Sequence, residues 1–321
     1  MAVADTTTIT GLSGSSKWYG GVLARNGKIY GIPFNSASVL IVDPTTNTAD
    51  TTTITGLSGG FKWWGGVLAP NGKVYGIPRD SASVLIIDPA TNTAETTKIT
   101  GLSGGNKWND GVLAGNGKIY GIPHNSASVL IIDPTTNTAD TTTITGLSGS
   151  AKWVGGVLAR NGKIYGIPFS SASVLIIDPT TNTADTTTIT GLSEVTKWVG
   201  GVLAGNSKIY GIPANSASVL IIDPATDTAD TTTITGLSGA FKWSGGVLAN
   251  DGKIYGIPSG LAASVLIIDP TINTADTTTI TGLSEPSQMG GVLAGNGKIY
   301  GIPRDSASVL IIQCEYHPRG L

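Results

Sequence analysis

The sequence predicts an all-β chain folded as a seven-bladed β-propeller, with four antiparallel strands per blade. Three observations predict it. A tyrosine recurs every 45 residues, as Tyr30, Tyr75, Tyr120, Tyr165, Tyr210, Tyr255 and Tyr300, and the surrounding residues repeat with it. Each unit is made of short Val-, Ile-, Thr- and Tyr-rich runs bounded by Gly, Pro, Asn and Asp, with no helical period. The chain starts and stops in mid-unit, so its two ends supply complementary parts of one blade. A repeat of this length suits a propeller blade better than a β-solenoid coil, which is shorter.

In the first unit the expected strands are a, Gly20 to Ala24; b, Lys28 to Pro33; c, Ser38 to Asp43; and d, Asp50 to Ile54. Asn26-Gly27 between a and b predicts a two-residue type I′ hairpin. Between c and d, Asp43-Pro44-Thr45-Thr46-Asn47 predicts a turn in which proline presets φ and the Asp and Asn side chains cap. Strands b and c are apolar on both faces, as a sheet between two neighbours requires. The threonine-rich run suits an outer rim strand. A one-residue insertion near Leu261 is offset by a deletion near Met289.

Residues 5–10 read as a d strand with nothing before it, while the last unit offers a, b and c without a d. The first strand should therefore pair with Ser308 to Gln313, closing the ring and removing two open edges. Residues 1–313 form one propeller domain on this reading, and 314–321 a non-repeat tail.

The stretch GGVLARNGKIYGIPFNSASVLIVDPTTN, Gly20 to Asn47, resembles a Kelch blade in its NGKIY strand, its apolar SVLIVD strand and its Asp-Pro-x-Thr-Asn turn. Similar stretches recur in all seven units. Two positions depart from the Kelch pattern: Gly31-Ile32-Pro33 replaces the Gly-Gly after the tyrosine, and Ala49 stands where a tryptophan is usual. The uniformity of the copies points to recent amplification of one blade, or to a designed-like symmetric scaffold.

Composition sets limits on function. Only 12% of residues are charged and 40% are hydrophobic, which argues against disorder. No run approaches 18 apolar residues and no signal peptide is evident, so a cytoplasmic protein without membrane contact is expected. The single Cys314 allows no internal disulfide, and no Asn-x-Ser/Thr sequon occurs. Of the two histidines, His124 lies in a variable loop and His317 in the tail, neither with an evident partner. The Asp43 series (Asp88, Asp133, Asp178, Asp223, Asp269) reads as turn caps rather than calcium ligands. No catalytic residue, metal or cofactor is therefore expected, and a sevenfold copy of the same residues argues for a non-enzymatic interaction module.

The remaining candidates are the Lys-Trp pairs before each strand a: Lys17-Trp18, Lys62-Trp63, Lys107-Trp108, Lys152-Trp153, Lys197-Trp198 and Lys242-Trp243. The tryptophans read either as inter-blade anchors or as sugar-stacking platforms. The lysines, with Gln288 at the seventh position, read either as a solvated rim or as a positive ring at the mouth of the axial channel. Differences among the units concentrate on the face of the d–a linkers and b–c loops, which carries a modest positive excess; the opposite face is acidic. That excess is too small for nucleic acid. The expected partner is an unknown protein, or a small, possibly anionic ligand bound in lectin-like fashion on the variable face by a monomer.

Overall fold

The structure is a computed structural model that describes residues 2–284 and 287–314. His317 and the rest of the tail beyond Cys314 lie outside the described residues. Among the described residues the chain forms 28 strands in seven antiparallel sheets of four. Blade 1 contains β2 (Trp18–Leu23), β3 (Ile29–Pro33), β4 (Leu40–Asp43) and β5 (Thr48–Asp50), hydrogen-bonded in that order. The next five blades repeat it. Blade 7 contains β26 (Gln288–Leu293), β27 (Lys298–Pro303) and β28 (Leu310–Gln313), completed by β1 (Val3–Asp5).

Burial follows the residue pattern from axis to rim. Every residue of β3 is buried, whereas β5 is exposed or half-buried. The core is a ring of inter-blade clusters: Val22, Tyr30 and Ile32 of blade 1 pack with Trp63, Val74 and Leu85 of blade 2. Burying so many large apolar side chains between sheets is the main stabilising contribution, at ~25 cal/mol per Å² of apolar surface. Glycine permits the close approach. A Cβ on Gly21 would lie 2.5 Å from Ile302 Cδ1 of blade 7.

Three local expectations change. The outer strand is Thr48–Asp50, not Asp50 to Ile54. The Asp50 carboxylate accepts from the Thr52 N–H at 2.7 Å and the Thr52 hydroxyl at 2.8 Å, folding the threonines into a side-chain-capped turn. Ring closure shifts with it: Val3, Ala4 and Asp5 pair with Gln313, Ile312 and Ile311, not residues 5–10. The a–b turn is not type I′. Gly27 N–H donates to Ala24 C=O at 3.0 Å and only Gly27, at φ 79°, is left-handed. That is a three-residue loop ending in a glycine bulge.

The axial pocket as candidate functional site

A bulge in the first strand of each blade builds the site. Trp18 pairs with Pro33 and Gly21 with Gly31, so residues 19 and 20 both face the single residue 32. Gly20 takes φ 77° to allow it. Bulges of this kind re-aim side chains, and here position 19 of each unit turns to the axis. Those residues, Tyr19, Trp64, Asn109, Val154, Val199, Ser244 and Met289, line a cavity of about 270 Å³ together with b–c loop residues including Arg79, His124, Phe169 and Arg304. A second cavity of about 270 Å³ continues along the axis between the bulge glycines, sharing Trp64, Val154, Val199, Ser244 and Met289 with the first. The variable positions of the repeat thus meet in one place.

Asp110 breaks the glycine ring. Its counterparts are Gly20, Gly65, Gly155, Gly200, Gly245 and Gly290, all with positive φ, and Asp110 holds φ 72°. Few side chains tolerate that conformation, though Asp is among the better ones. Its carboxylate accepts the Gly111 N–H at 2.9 Å and otherwise occupies the channel beside Gly65. The residue is half-buried in the wall of the axial cavity, among the bulge glycines. That enclosure pushes its carboxyl up to about 6, against the lesser pull of the Gly111 hydrogen bond. The repeat carries the signal: Asn109-Asp110-Gly111 replaces a pattern with glycine at the middle position in the six other units. Asp110 was not among the candidates named from the sequence.

On blades 1 and 2 an aromatic cluster grips a cation. The Arg79 guanidinium carbon lies 5.2, 5.5 and 5.7 Å from the ring centroids of Phe34, Phe61 and Trp64. Tyr19 stacks on Phe34 at 3.8 Å. Arg79 pairs with Asp80 at 3.6 Å. His124, placed by sequence in an unpartnered loop, stands beside Phe169 at 6.0 Å between centroids. Burial, reinforced by the Arg79 and Lys152 charges, lowers its pKa to about 4, so the imidazole is neutral at pH 7. Cys314 is inert by comparison, because burial pushes its thiol up to about 12.

None of the six lysines lines the axial pocket, and of the tryptophans paired with them only Trp243 does, among the described residues. Lys17, Lys62, Lys107, Lys152, Lys197 and Lys242 are buried. Lys62 Nζ donates to the carbonyls of Phe34, Ser36 and Gly59 at 3.0, 2.9 and 2.7 Å, so its three protons are engaged. Burial lowers its pKa to about 8, which leaves it charged at neutral pH. The tryptophans Trp18, Trp63, Trp108, Trp153, Trp198 and Trp243 are buried in the inter-blade clusters, and Trp18 Nε1 donates to Ser38 C=O at 2.8 Å. On blades 2, 3 and 4 the pairs border shallow polar grooves at the rim. Gln288 proves to occupy the tryptophan position, not the lysine one: it pairs with Pro303 as Trp18 does with Pro33, and Ser287 holds the lysine place.

No family model and no curated protein matches the sequence. Solved structures do match in shape. The virginiamycin B lyase of Staphylococcus aureus superposes with a TM-score of 0.77 over 98% of this chain and 100% of its own, at 8% identity. The Kuenenia stuttgartiensis hydrazine synthase gives 0.72 over 95% and 97%, at 14% identity. The extracellular domain of a one-component system from B. thetaiotaomicron gives 0.70 over 95% of this chain and 42% of that one, at 10% identity. This likeness is one of fold.

It corrects the functional expectation nonetheless. The same seven-bladed body carries a lyase, so the inference from a repetitive propeller to a non-enzymatic scaffold or lectin-like module fails. Its premise fails too, because seven copies of one blade bring different residues to the axis. None of these similar structures is a Kelch protein. No helix is long and apolar enough to cross a membrane. Extracellular domains with this fold remove the support for a cytoplasmic location.

Proposed function

We propose that the protein is an enzyme that takes a small, largely apolar molecule into the axial pocket and moves a proton on it with Asp110. The observation that carries this reading is the carboxyl itself. It replaces a glycine, holds a conformation that disfavours side chains, and among the described residues has no cation beside it that would serve a structural purpose. A carboxyl with a pKa near 6 is ionised at neutral pH yet basic enough to accept a proton, and positioned bases contribute roughly 10²–10⁴-fold to rate. The walls beside it, Trp64, Val154, Val199 and Met289, are largely apolar and lower the local dielectric around the reacting group. Among propellers of similar shape, one lyase structure is of a catalytically inactive histidine-to-alanine variant with quinupristin. It supports the reading by example alone, as a propeller of similar shape with both a ligand and a side chain needed for activity.

The test uses 5-nitrobenzisoxazole, a small aromatic whose ring opening needs only a base. The base removes the ring C–H proton as the N–O bond breaks, giving a nitrile and a phenolate; the proton passes through Asp110 to solvent. The expected result is catalysis above the buffer reaction, rising with pH through an inflection near 6 and falling roughly 10²-fold in Asp110→Asn. Equal rates for parent and variant would refute the reading.

A further inference from the structure

Arg79 of blade 2 and Arg304 of blade 7 line the loop end of the axial pocket, where no acid stands among the described lining residues. They occupy the same b–c loop position, which Phe34, Phe169 and Ala214 fill in other units. Blades 2 and 7 are the two neighbours of blade 1. Burial raises the pKa of the Tyr19 phenol on blade 1, and both guanidinium charges act against that rise. The two cations therefore stand within electrostatic reach of one pocket-lining hydroxyl.

Neither guanidinium is used up. Arg304 donates from Nε to Asp305 Oδ2 at 2.6 Å, and no hydrogen bond engages either Nη among the described residues. Arg79 Nη1 stands 3.6 Å from Asp80 Oδ1, too far for a hydrogen bond. Three aromatic rings hold that guanidinium instead. Its Nε is sealed in the cluster, but no Nη of either arginine is among the buried atoms without a partner. The two side chains keep 15% and 25% of their surface, so the Nη edges can be reached. Nor do the aspartates cancel the charge. Asp80 also faces the buried Lys107, and Asp305 the buried Lys17. Each acid answers two cations, and this wall keeps a positive surplus.

Open donors require an acceptor, and the surplus requires an anion. An ammonium would be repelled. An amide or alcohol would leave the charge unanswered. A phosphate monoester would bring a second charge into a cavity whose other walls are Val154, Phe169, Val199, Ala214 and Met289. Asp110, farther along the axis, is itself ionised at neutral pH and opposes it. A carboxylate carries one charge, and its two oxygens match the edge of a guanidinium.

We propose that Arg79 and Arg304 bind the carboxylate of the substrate, and that the substrate is an apolar monocarboxylate whose body points along the axis toward Asp110. The inference rests on the axial pocket being a substrate site. It assigns recognition to the arginines, so it is separable from the role of Asp110.

3-Phenylpropanoate is the probe, with 3-phenylpropanamide and phenyl phosphate as controls, and calorimetry on the full chain at neutral pH is the readout. The carboxylate should bind at least ~10-fold more tightly than the amide, the worth of about one charge-assisted hydrogen bond. It should also bind more tightly than the phosphate. Arg304→Ala and Arg79→Phe install residues that this position already carries in blades 5 and 4. Each should shrink the carboxylate-to-amide ratio toward one, while Asp110→Asn keeps it. A mere change of packing would alter both affinities alike and leave the ratio. Arg304→Ala serves if Arg79→Phe does not fold. Equal affinities, no binding of the carboxylate, tighter binding of the phosphate, or a ratio that survives the arginine substitutions would overturn the proposal. If those results came with intact, Asp110-dependent opening of the neutral 5-nitrobenzisoxazole, the proton-transfer role would stand without the carboxylate site. Carboxylate selectivity without any ring opening would uphold the arginine site and refute the proton-transfer role.

Discussion

The hydroxyl of Tyr30 donates to Oδ1 of Asn92, 2.8 Å away in the next blade. Asn26 Nδ2 donates to the same hydroxyl at 3.0 Å, so a wholly buried phenol is satisfied on both sides. The clasp recurs as Tyr75–Asn137, Tyr120–Asn182, Tyr210–Asn273 and Tyr300–Asn47. Tyr75→Phe should therefore cost about 1–2 kcal/mol by removing a bridge between blades. Urea denaturation checks this, and a loss below ~0.3 kcal/mol would mean that the bridge contributes little.

Blade 4 varies the clasp, because Tyr165 meets Asp227 instead of asparagine. Burial first, then the Asp227 carboxylate, raises the pKa of this phenol. Asp227→Asn should lower it toward those of its counterparts. Spectrophotometric titration should then show the last tyrosine to ionise doing so earlier; an unchanged curve would contradict the assignment.

Asp110→Gly should stabilise the protein, and by more at pH 8 than at pH 4. The sign follows from the raised pKa. The unfolded chain releases this proton near 3.8 and the folded one near 6, so stability is lost as pH rises between those values. The loss is at most about 3 kcal/mol, since each unit is worth ~1.4, and water in the channel reduces it. Relief of the positive φ adds roughly 1 kcal/mol at every pH. A gain that does not vary between pH 4 and 8 would show that the carboxyl is not desolvated.

Lys62→Met keeps the apolar stem but strands the Phe34, Ser36 and Gly59 carbonyls. A loss of about 2–4 kcal/mol is expected. A variant as stable as the parent would mean that solvent replaces the ammonium at no cost.

Ring closure has two tethers, and they should be separable. β1 supplies the pairs from Val3 to Asp5, while Val309 N–H donates to Ile9 C=O at 3.0 Å and Leu12 N–H to Ala307 C=O at 2.9 Å. Deleting residues 1–6 should lower the melting temperature, and deleting 1–12 should lower it further, at ~1 kcal/mol per bond. Equal melting of the three chains would mean that the ring closes elsewhere.

The period of Tyr30, the apolar β3 and β4 runs and the half-blades at the two ends were enough to read the architecture. The threonines after Asp50 misled, because β-branched residues favour strands while Asp followed by Thr also favours capped turns, and the caps prevailed. The lysines misled because charge was equated with exposure. An ammonium has three donors, and the loop at Lys62 supplies three carbonyls. Asp110 was legible as a departure from glycine, but its meaning depended on the bulge at its position, which no local pattern announces. His124 and Arg79 became neighbours only through the curvature of the ring.

The seam at β1 and β28 is held by pairing across space rather than by a covalent turn. Six other blades join the corresponding strands through a short loop such as Pro44 to Asn47, so the body has no privileged beginning. A gene opened at any of those loops, with the present ends linked, would encode the same disc with a different first residue. Translation order and three-dimensional order are independent here. The diversity around the axis could then be rearranged blade by blade, like beads restrung on a closed loop, without disturbing the thread.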